Sequence, residues 1–211
     1  MTQEKPKMHR LGILLSGRGS NFLAIAEAIR LHRLPAAEIA CVVSNLPDAH
    51  GLASARALGL PAFCIPSVGR TRAEHDAEVL ARLHQQKVGL VCLAGYMRIV
   101  SPSFVAAFRD RILNIHPSLL PAFPGLDAQT QALASGAKIA GCTVHFVDEQ
   151  VDHGPIVLQR AVPVLDDDTP EVLSARILAQ EHIAYPEAIA RVLSGGYRLV
   201  DRRYLRRTRT I

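Results

Sequence analysis

Asn114 and His116 stand two residues apart in the apolar run Arg111-Ile112-Leu113-Asn114-Ile115-His116, which Pro117 stops. On an extended strand side chains alternate, so these two would share one face, about 7 Å apart along the backbone. An amide donor beside a titratable imidazole suits a carbonyl that must become a tetrahedral oxyanion. The amide donates to the developing charge, and the imidazole supplies or relays a proton. Asp152 lies in the polar stretch Asp148-Glu149-Gln150-Val151-Asp152-His153-Gly154-Pro155. If it touches His116, its carboxylate favours the imidazolium and raises the histidine's pKa. If it does not, it is an ordinary turn residue. His145 and His153 are nearby candidates, although a lone histidine in an apolar strand, as His145 is, is more often a satisfied core residue than a ligand. A metal on His116, His145 and Asp152 is not demanded by their spacing. These residues point to an acyl-type transferase.

Two further segments have chemical character. Ser16-Gly17-Arg18-Gly19-Ser20-Asn21 follows a first apolar run and opens a helical one. Glycines permit the tight turn, and free N–H groups at a helix start attract anions, so a small phosphate ester is the expected ligand; a plain strand-to-helix turn reads the same way. The dinucleotide pattern fails, because Phe22 stands where Gly or Ala is needed and Ser44-Asn45 offers no carboxylate for a ribose diol. The Gly-Lys-[Ser/Thr] ending of a Walker A loop is absent too. Leu93-Ala94-Gly95-Tyr96-Met97-Arg98-Ile99-Val100 ends another strand, where α/β sheets bind ligands; it could hold a flat heteroaromatic group or simply pack in the core.

The elements that must position these groups alternate. Strands are expected at Leu11–Ser16, Ile39–Ser44, Ala62–Ile65, Leu90–Ala94 and Ile112–Ile115. Helices are expected at about Asn21–His32, Gly51–Leu58, Arg72–Gln86 and Ser101–Phe108, the last with Ser101 as N-cap and Pro102 at N1. Apolar strands alternating with helices imply a mostly parallel sheet covered on both faces, an α/β fold of Rossmann-like kind. After Pro117 a proline-rich loop leads to a helix at Ala128–Ser135. Two β-like runs, Gly141–Val147 and Ile156–Val164, add antiparallel strands, and a long helix, Pro170–Leu193, ends at Gly195-Gly196.

Composition narrows the class. At 211 residues, with 49% apolar and 20% charged, the chain is of globular type and not disordered. No run reaches the roughly 18 apolar residues of a membrane helix. The start, Met1 to Lys7, is charged with no secretory apolar region behind it, so a cytoplasmic protein is expected. The formal charge is +5. It is concentrated from Arg198 onward, where six arginines (Arg198, Arg202, Arg203, Arg206, Arg207 and Arg209) face one aspartate, Asp201. A solvated basic tail at 198–211, following a domain at 1–197, is the expectation, with no nucleic acid or membrane partner. Cys41, Cys64, Cys92 and Cys142 show no zinc spacing and read as buried, reduced thiols.

Five segments in order, Ser16 to Asn21, Leu93 to Arg98, Leu113 to Pro121, Gly141 to Val147 and Asp152 to Pro155, together resemble the folate-dependent phosphoribosylglycinamide formyltransferase family. The resemblance runs from about Leu11 to Arg198. Its Asn-Ile-His-Pro-Ser-Leu-Leu-Pro string is shared with formyltetrahydrofolate hydrolases and other folate formyltransferases, so it speaks to the chemistry more than to the substrate. The Gly-Ser-Asn loop looks like the family's ribosyl-phosphate site. Hydrolases carry an extra N-terminal domain and methionyl-tRNA formyltransferases an extra C-terminal one, and this chain is expected to have neither. The resemblance implies formyl transfer from 10-formyltetrahydrofolate, without a metal, to glycinamide ribonucleotide by a monomer or homodimer. Gly19, Ser20 and Asn21 would hold the phosphate, helped by Leu178, Ala179, Gln180 and Glu181. Arg72, Met97, Arg98, Ile99, Val100, Asn114 and the loop Asp148, Glu149, Gln150, Val151 and Asp152 would bind the folate. Asn114, His116 and Asp152 would be catalytic, the substrate amine attacking directly, in keeping with the lack of a Ser-His or Cys-His nucleophile signature. Where the family typically reads Pro-Gly-(Leu)-His-Ala-His, this chain has Pro124-Gly125-Leu126-Asp127-Ala128-Gln129. A formyltransferase for another amine, a hydrolase, or a folate- or phosphate-binding module without turnover are the alternatives.

Overall fold

A computed structural model describes residues 8–34 and 36–207. The charged start and the last residues of the basic stretch, Arg209 included, lie outside the described residues. The chain divides into two compact units, with the boundary between Arg111 and Ile112.

The first unit alternates strand and helix. Strands β1 (His9–Leu15), β2 (Ala37–Ser44), β3 (Ala62–Cys64) and β4 (Leu90–Leu93) are separated by helices α1 (Ser20–Arg30), α2 (His50–Ala57) and α3 (Arg72–Gln85). The strands pair parallel in the order β3-β2-β1-β4, with Leu11 beside both Ile39 and Leu90. Leu11, Ile13, Leu14, Val42, Val91 and Cys92 are fully buried, which explains why these strands read as continuous rather than alternating apolar runs. The chain winds outward from β1 through β3, then returns to the other side of β1 as β4. That reversal makes the carboxyl ends of β1 and β4 the switch point where ligands of such sheets bind. α3 starts cleanly because Thr71 and Glu74 form a capping box. Ser101 caps α4 (Pro102–Ala107), as expected, accepting from the Phe104 N–H.

The second unit holds β5 (Ile112–His116), α5 (Ala128–Ala134), β6 (Ile139–Phe146), β7 (Ile156–Pro163) and α6 (Pro170–Leu193). β5 and β6 are antiparallel, as are β6 and β7. α6 lies against β6 and β7 and buries Leu173, Ile177, Ala184, Tyr185 and Ile189. The Tyr185 hydroxyl donates to the Leu113 carbonyl at 3.0 Å, tying this helix to β5.

Two expectations need correcting. Residues 198–206 of the stretch expected as a solvated tail form, with Tyr197, a hairpin, β8 (Tyr197–Val200) and β9 (Arg203–Arg206), and β9 pairs parallel with β7 at Ile156. Charge hid the pattern: Tyr197 and Leu199 alternate with Arg198, and Tyr204, opposite Leu199, lies on their face. Tyr204 stacks on Tyr197 with ring centroids 4.8 Å apart and meets Phe146 at 5.6 Å. Cys64 is half-buried, while Cys41, Cys92 and Cys142 are buried. Burial pushes the Cys41 thiol up to about 11 and, with the charge of Glu181, that of Cys142 up to about 12, so both stay protonated. Among the described residues no helix is long and apolar enough to cross a membrane.

Candidate active site

The register of β5 against β6 sets Asn114 opposite His145 and His116 opposite Thr143. The polar side chains therefore line up on one face, and Leu113, Ile115, Val144 and Phe146 turn the other way. Asn114 Nδ2 donates to His145 Nε2 at 3.2 Å, while His145 Nδ1 donates to the Phe146 carbonyl at 2.7 Å. This pairing fixes the tautomer of a neutral His145, with its proton on Nδ1.

His116 is 5% exposed and has an acceptor on each side. Its Nε2 donates to the Phe123 carbonyl at 2.8 Å, and its Nδ1 lies 3.4 Å from Asp152 Oδ2. A ring with both nitrogens facing acceptors is satisfied fully only as the imidazolium. Asp152 is the hub of the cluster. Its Oδ2 accepts the Gly125 N–H at 2.8 Å, and its Oδ1 lies 3.5 Å from Asn114 Nδ2 and 3.7 Å from His145 Nε2. Burial alone would raise the Asp152 pKa. The approach of the His145 ring, the Gly125 N–H and the neighbouring His116 ring outweigh it, so the carboxyl is held below its ordinary value and is ionised at neutral pH.

The loops that deliver these groups are strained and pinned. Phe123, Asp127 and Asp152 all have left-handed φ, between 51 and 56°. Such conformations cost about 1–3 kcal/mol each and collect where a site over-determines them. Thr143, fully buried, donates to the Ser118 carbonyl at 2.6 Å and accepts from the Leu120 N–H and from Gln159 Nε2 at 3.0 Å, so β6 anchors the loop that follows His116. Asp148 pairs with His153 at 2.8 Å and accepts the Gln150 N–H, which staples the loop bearing Asp152. Gly154 lets that loop turn back tightly: a Cβ there would lie 1.9 Å from the Phe146 carbonyl oxygen.

Other expected residues distribute between the units. In the first, Gly19 has φ 75° and is the N-cap of α1, its Cα side packed so closely on Gly51 that a Cβ would come within 2.8 Å. Ser20 and Asn21 open that helix, whose first N–H groups have no side-chain cap. Ser16 stitches the switch point together: its Oγ donates to Asn45 Oδ1 at 2.6 Å and accepts the Met97 N–H at 2.8 Å. Met97 and Ile99 are 67% and 52% exposed, Val100 is buried, and Arg98 has its Nε buried without a hydrogen-bond partner. Arg72 is the exposed first residue of α3. In the second unit Glu149, Gln150 and Val151 are exposed. Leu178, Ala179, Gln180 and Glu181 form one turn of α6, with Glu181 only 7% exposed. Asp127 is the exposed N-cap of α5 and makes no side-chain cap bond; the half-buried Gln129 follows it.

His145, a nearby candidate that could equally be a satisfied core residue, is buried and lies beside Asn114 and Asp152. The signal was present: Thr143 and His145 alternate with Cys142, Val144 and Phe146, marking one polar face on an apolar strand. The Gly125 N–H and the Phe123 carbonyl are backbone groups and left no signal.

Comparison with known proteins gives a consistent answer. A family profile described as "Formyl transferase" matches residues 9–189. A crystal structure of glycinamide ribonucleotide transformylase 1 from Symbiobacterium toebii is similar, with a TM-score of 0.92, 51% identity and 94% of each chain covered. That likeness includes the α/β class expected from the sequence, parallel strands first and antiparallel strands toward the C-terminus. Phosphoribosylglycinamide formyltransferase of Escherichia coli is 40% identical over 188 residues, 89% of this chain and 88% of that protein. The trifunctional purine biosynthetic protein adenosine-3 of Drosophila melanogaster is 45% identical over 192 residues, and the chain spans only 14% of its length.

Proposed function

The chain belongs to the formyl transferase family, and on that premise we propose that it moves a formyl group from 10-formyltetrahydrofolate to the amine of 5-phosphoribosylglycinamide, a step of purine biosynthesis. The observation that carries the chemistry is the His116 ring set between Asp152 and the Phe123 carbonyl, beside the Asn114 amide.

The unprotonated substrate amine attacks the formyl carbon, and the carbonyl oxygen becomes an oxyanion. Asn114 Nδ2 and a His116 N–H donate to it. His116 makes this donation by exchanging the Phe123 carbonyl for the substrate oxygen, while Asp152 keeps the ring oriented. The new C–N bond leaves the amine nitrogen with a proton to lose, and the folate nitrogen must gain one as its bond to carbon breaks. Asp152, ionised and next to His116, relays that proton through water. Each oxyanion donor of this kind contributes about 3–4 kcal/mol to the transition state.

Binding follows the same residues. Gly19, Ser20 and Asn21 hold the phosphate on the N–H groups at the start of α1. Glu181 with Leu178, Ala179 and Gln180 receives the rest of the ribosyl amine; a carboxylate suits hydroxyls as an acceptor better than it suits phosphate. Arg72 and Met97 to Val100 receive the folate, together with Asn114 and the loop from Asp148 to Asp152.

The test is turnover of 10-formyltetrahydrofolate by the purified protein, followed as tetrahydrofolate release with glycinamide ribonucleotide present, omitted, or replaced by other amines. The proposal expects release only with glycinamide ribonucleotide. Release without any amine would make the protein a hydrolase, and release with a different amine alone would change the acceptor.

A further inference from the structure

A buried ionisable pair in the first unit is used by nothing described so far. His75 and Asp76, in the second turn of α3, are 0% and 1% exposed. Asp76 Oδ2 accepts the Ser101 N–H at 2.6 Å. His75 Nε2 donates to the Ile65 carbonyl at 2.9 Å, and its Nδ1, which has no hydrogen-bond partner, lies 3.5 Å from Asp76 Oδ1. With Nε2 bonded to the Ile65 carbonyl, Nδ1 is turned toward the Asp76 carboxylate. A buried pair of this kind is weak evidence for stability, because well-packed apolar residues do as well or better. What it adds is a fixed geometry, and the geometry it fixes is informative.

Ser101 is the first residue after Val100. Its N–H, held by Asp76, pins one end of the loop Tyr96 to Val100. The other end is pinned by Ser16, whose Oγ accepts the Met97 N–H and whose N–H donates to the Gly95 carbonyl at 2.9 Å. Between these pins Met97 and Ile99 are offered outward. Asp76 also sits four residues after Arg72, on the same side of α3. One carboxylate thus sets Arg72's helix and the Met97 to Val100 loop against each other.

We infer that Asp76, supported by His75, is a positioning residue for folate binding, holding the Met97 to Val100 loop at the correct height against the Arg72 end of α3. This rests on the reading that Arg72 and that loop receive the folate.

The test compares wild type, Asp76→Ala, Asp76→Asn, Ser101→Ala and Ser101→Pro in steady-state assays of both substrates, with tetrahydrofolate binding measured directly by calorimetry. Asn keeps an oxygen for the Ser101 N–H and offers its amide N–H to His75 Nδ1, so it should restore function. Ala should raise the KM for 10-formyltetrahydrofolate about tenfold or more and leave the KM for glycinamide ribonucleotide within about twofold. Ser101→Pro removes the donor N–H together with the Oγ that caps α4, a side-chain loss that Ser101→Ala measures on its own, and the Ser101 φ of −74° already suits proline. It should reproduce the folate effect even if Asp76→Ala fails to fold. An unchanged folate KM, an equal rise in both KM values, or an Asn variant as poor as Ala overturns the inference. Wild type that does not bind tetrahydrofolate would instead sink the folate reading beneath it.

Discussion

Asp152 has more partners than its two oxygens can bond well, and that crowding is what makes it useful. The Gly125 N–H takes the good geometry on Oδ2, and Asn114 and His145 approach Oδ1 at 3.5 and 3.7 Å, close enough for electrostatics but long for hydrogen bonds. Of these, the Asn114 amide is a donor that a substrate oxygen can claim without much loss. Because the Asp152 pKa is lowered in the folded protein, its stabilising contribution is complete above the ordinary carboxylate value of about 3.9 and is lost as pH falls through the lower folded value. Urea unfolding of wild type and Asp152→Asn from pH 7 to pH 3 should show a stability gap that is steady above about pH 4 and closes below it. A gap that widens on acidification contradicts the assignment. Asn114, His116 and Asp152 were all readable as types at suggestive spacing. His145 was legible as a polar position on β6 and a nearby candidate, but a single histidine in an apolar strand carries no sign of the residue opposite.

At the scale of elements, β5 and β6 act as one ruler. Their register decides that Asn114 meets His145 and that His116 meets Thr143, and the shift between Val144 and His145 against β7 occurs at the same place. The return of the loop from β6 to β7 depends on Gly154. Gly154→Ala forces backbone against the Phe146 carbonyl and should destabilise the fold by about 1–3 kcal/mol, with activity falling further as Asp152 shifts. Chemical denaturation alongside turnover checks it; wild-type behaviour in both would show the turn to be slack. Element existence was legible from β1 through α6. The apolar runs gave β1 to β7, Ser101-Pro102 marked a helix start, and α6 was bounded correctly from Pro170 to Leu193. What the chain alone could not disclose was loop geometry, since a proline-rich stretch does not say which carbonyl or N–H it will aim at a histidine.

For the molecule as a whole, Arg198, Arg203 and Arg206 are part of the second unit's sheet and not an appendage. β9 joins β7 at Ile156, and Arg202 donates to the His153 carbonyl at 2.5 Å, one residue from Asp152. Charge runs usually mean solvated chain, so composition misled here; the stacked Tyr197 and Tyr204 outweigh it. Tyr204→Ala should lower stability by about 1–3 kcal/mol and loosen the hairpin, seen as faster amide exchange at residues 197–206. Unchanged exchange would return the stretch to the status of a tail. All of these parts serve one claim, that a histidine oriented by a buried carboxylate stabilises the oxyanion of formyl transfer. The most direct measurement is kcat for formyl transfer to glycinamide ribonucleotide by His116→Ala, with the fold verified by circular dichroism. The account predicts a loss of about 100- to 1000-fold, and a kcat within about twofold of wild type would contradict it.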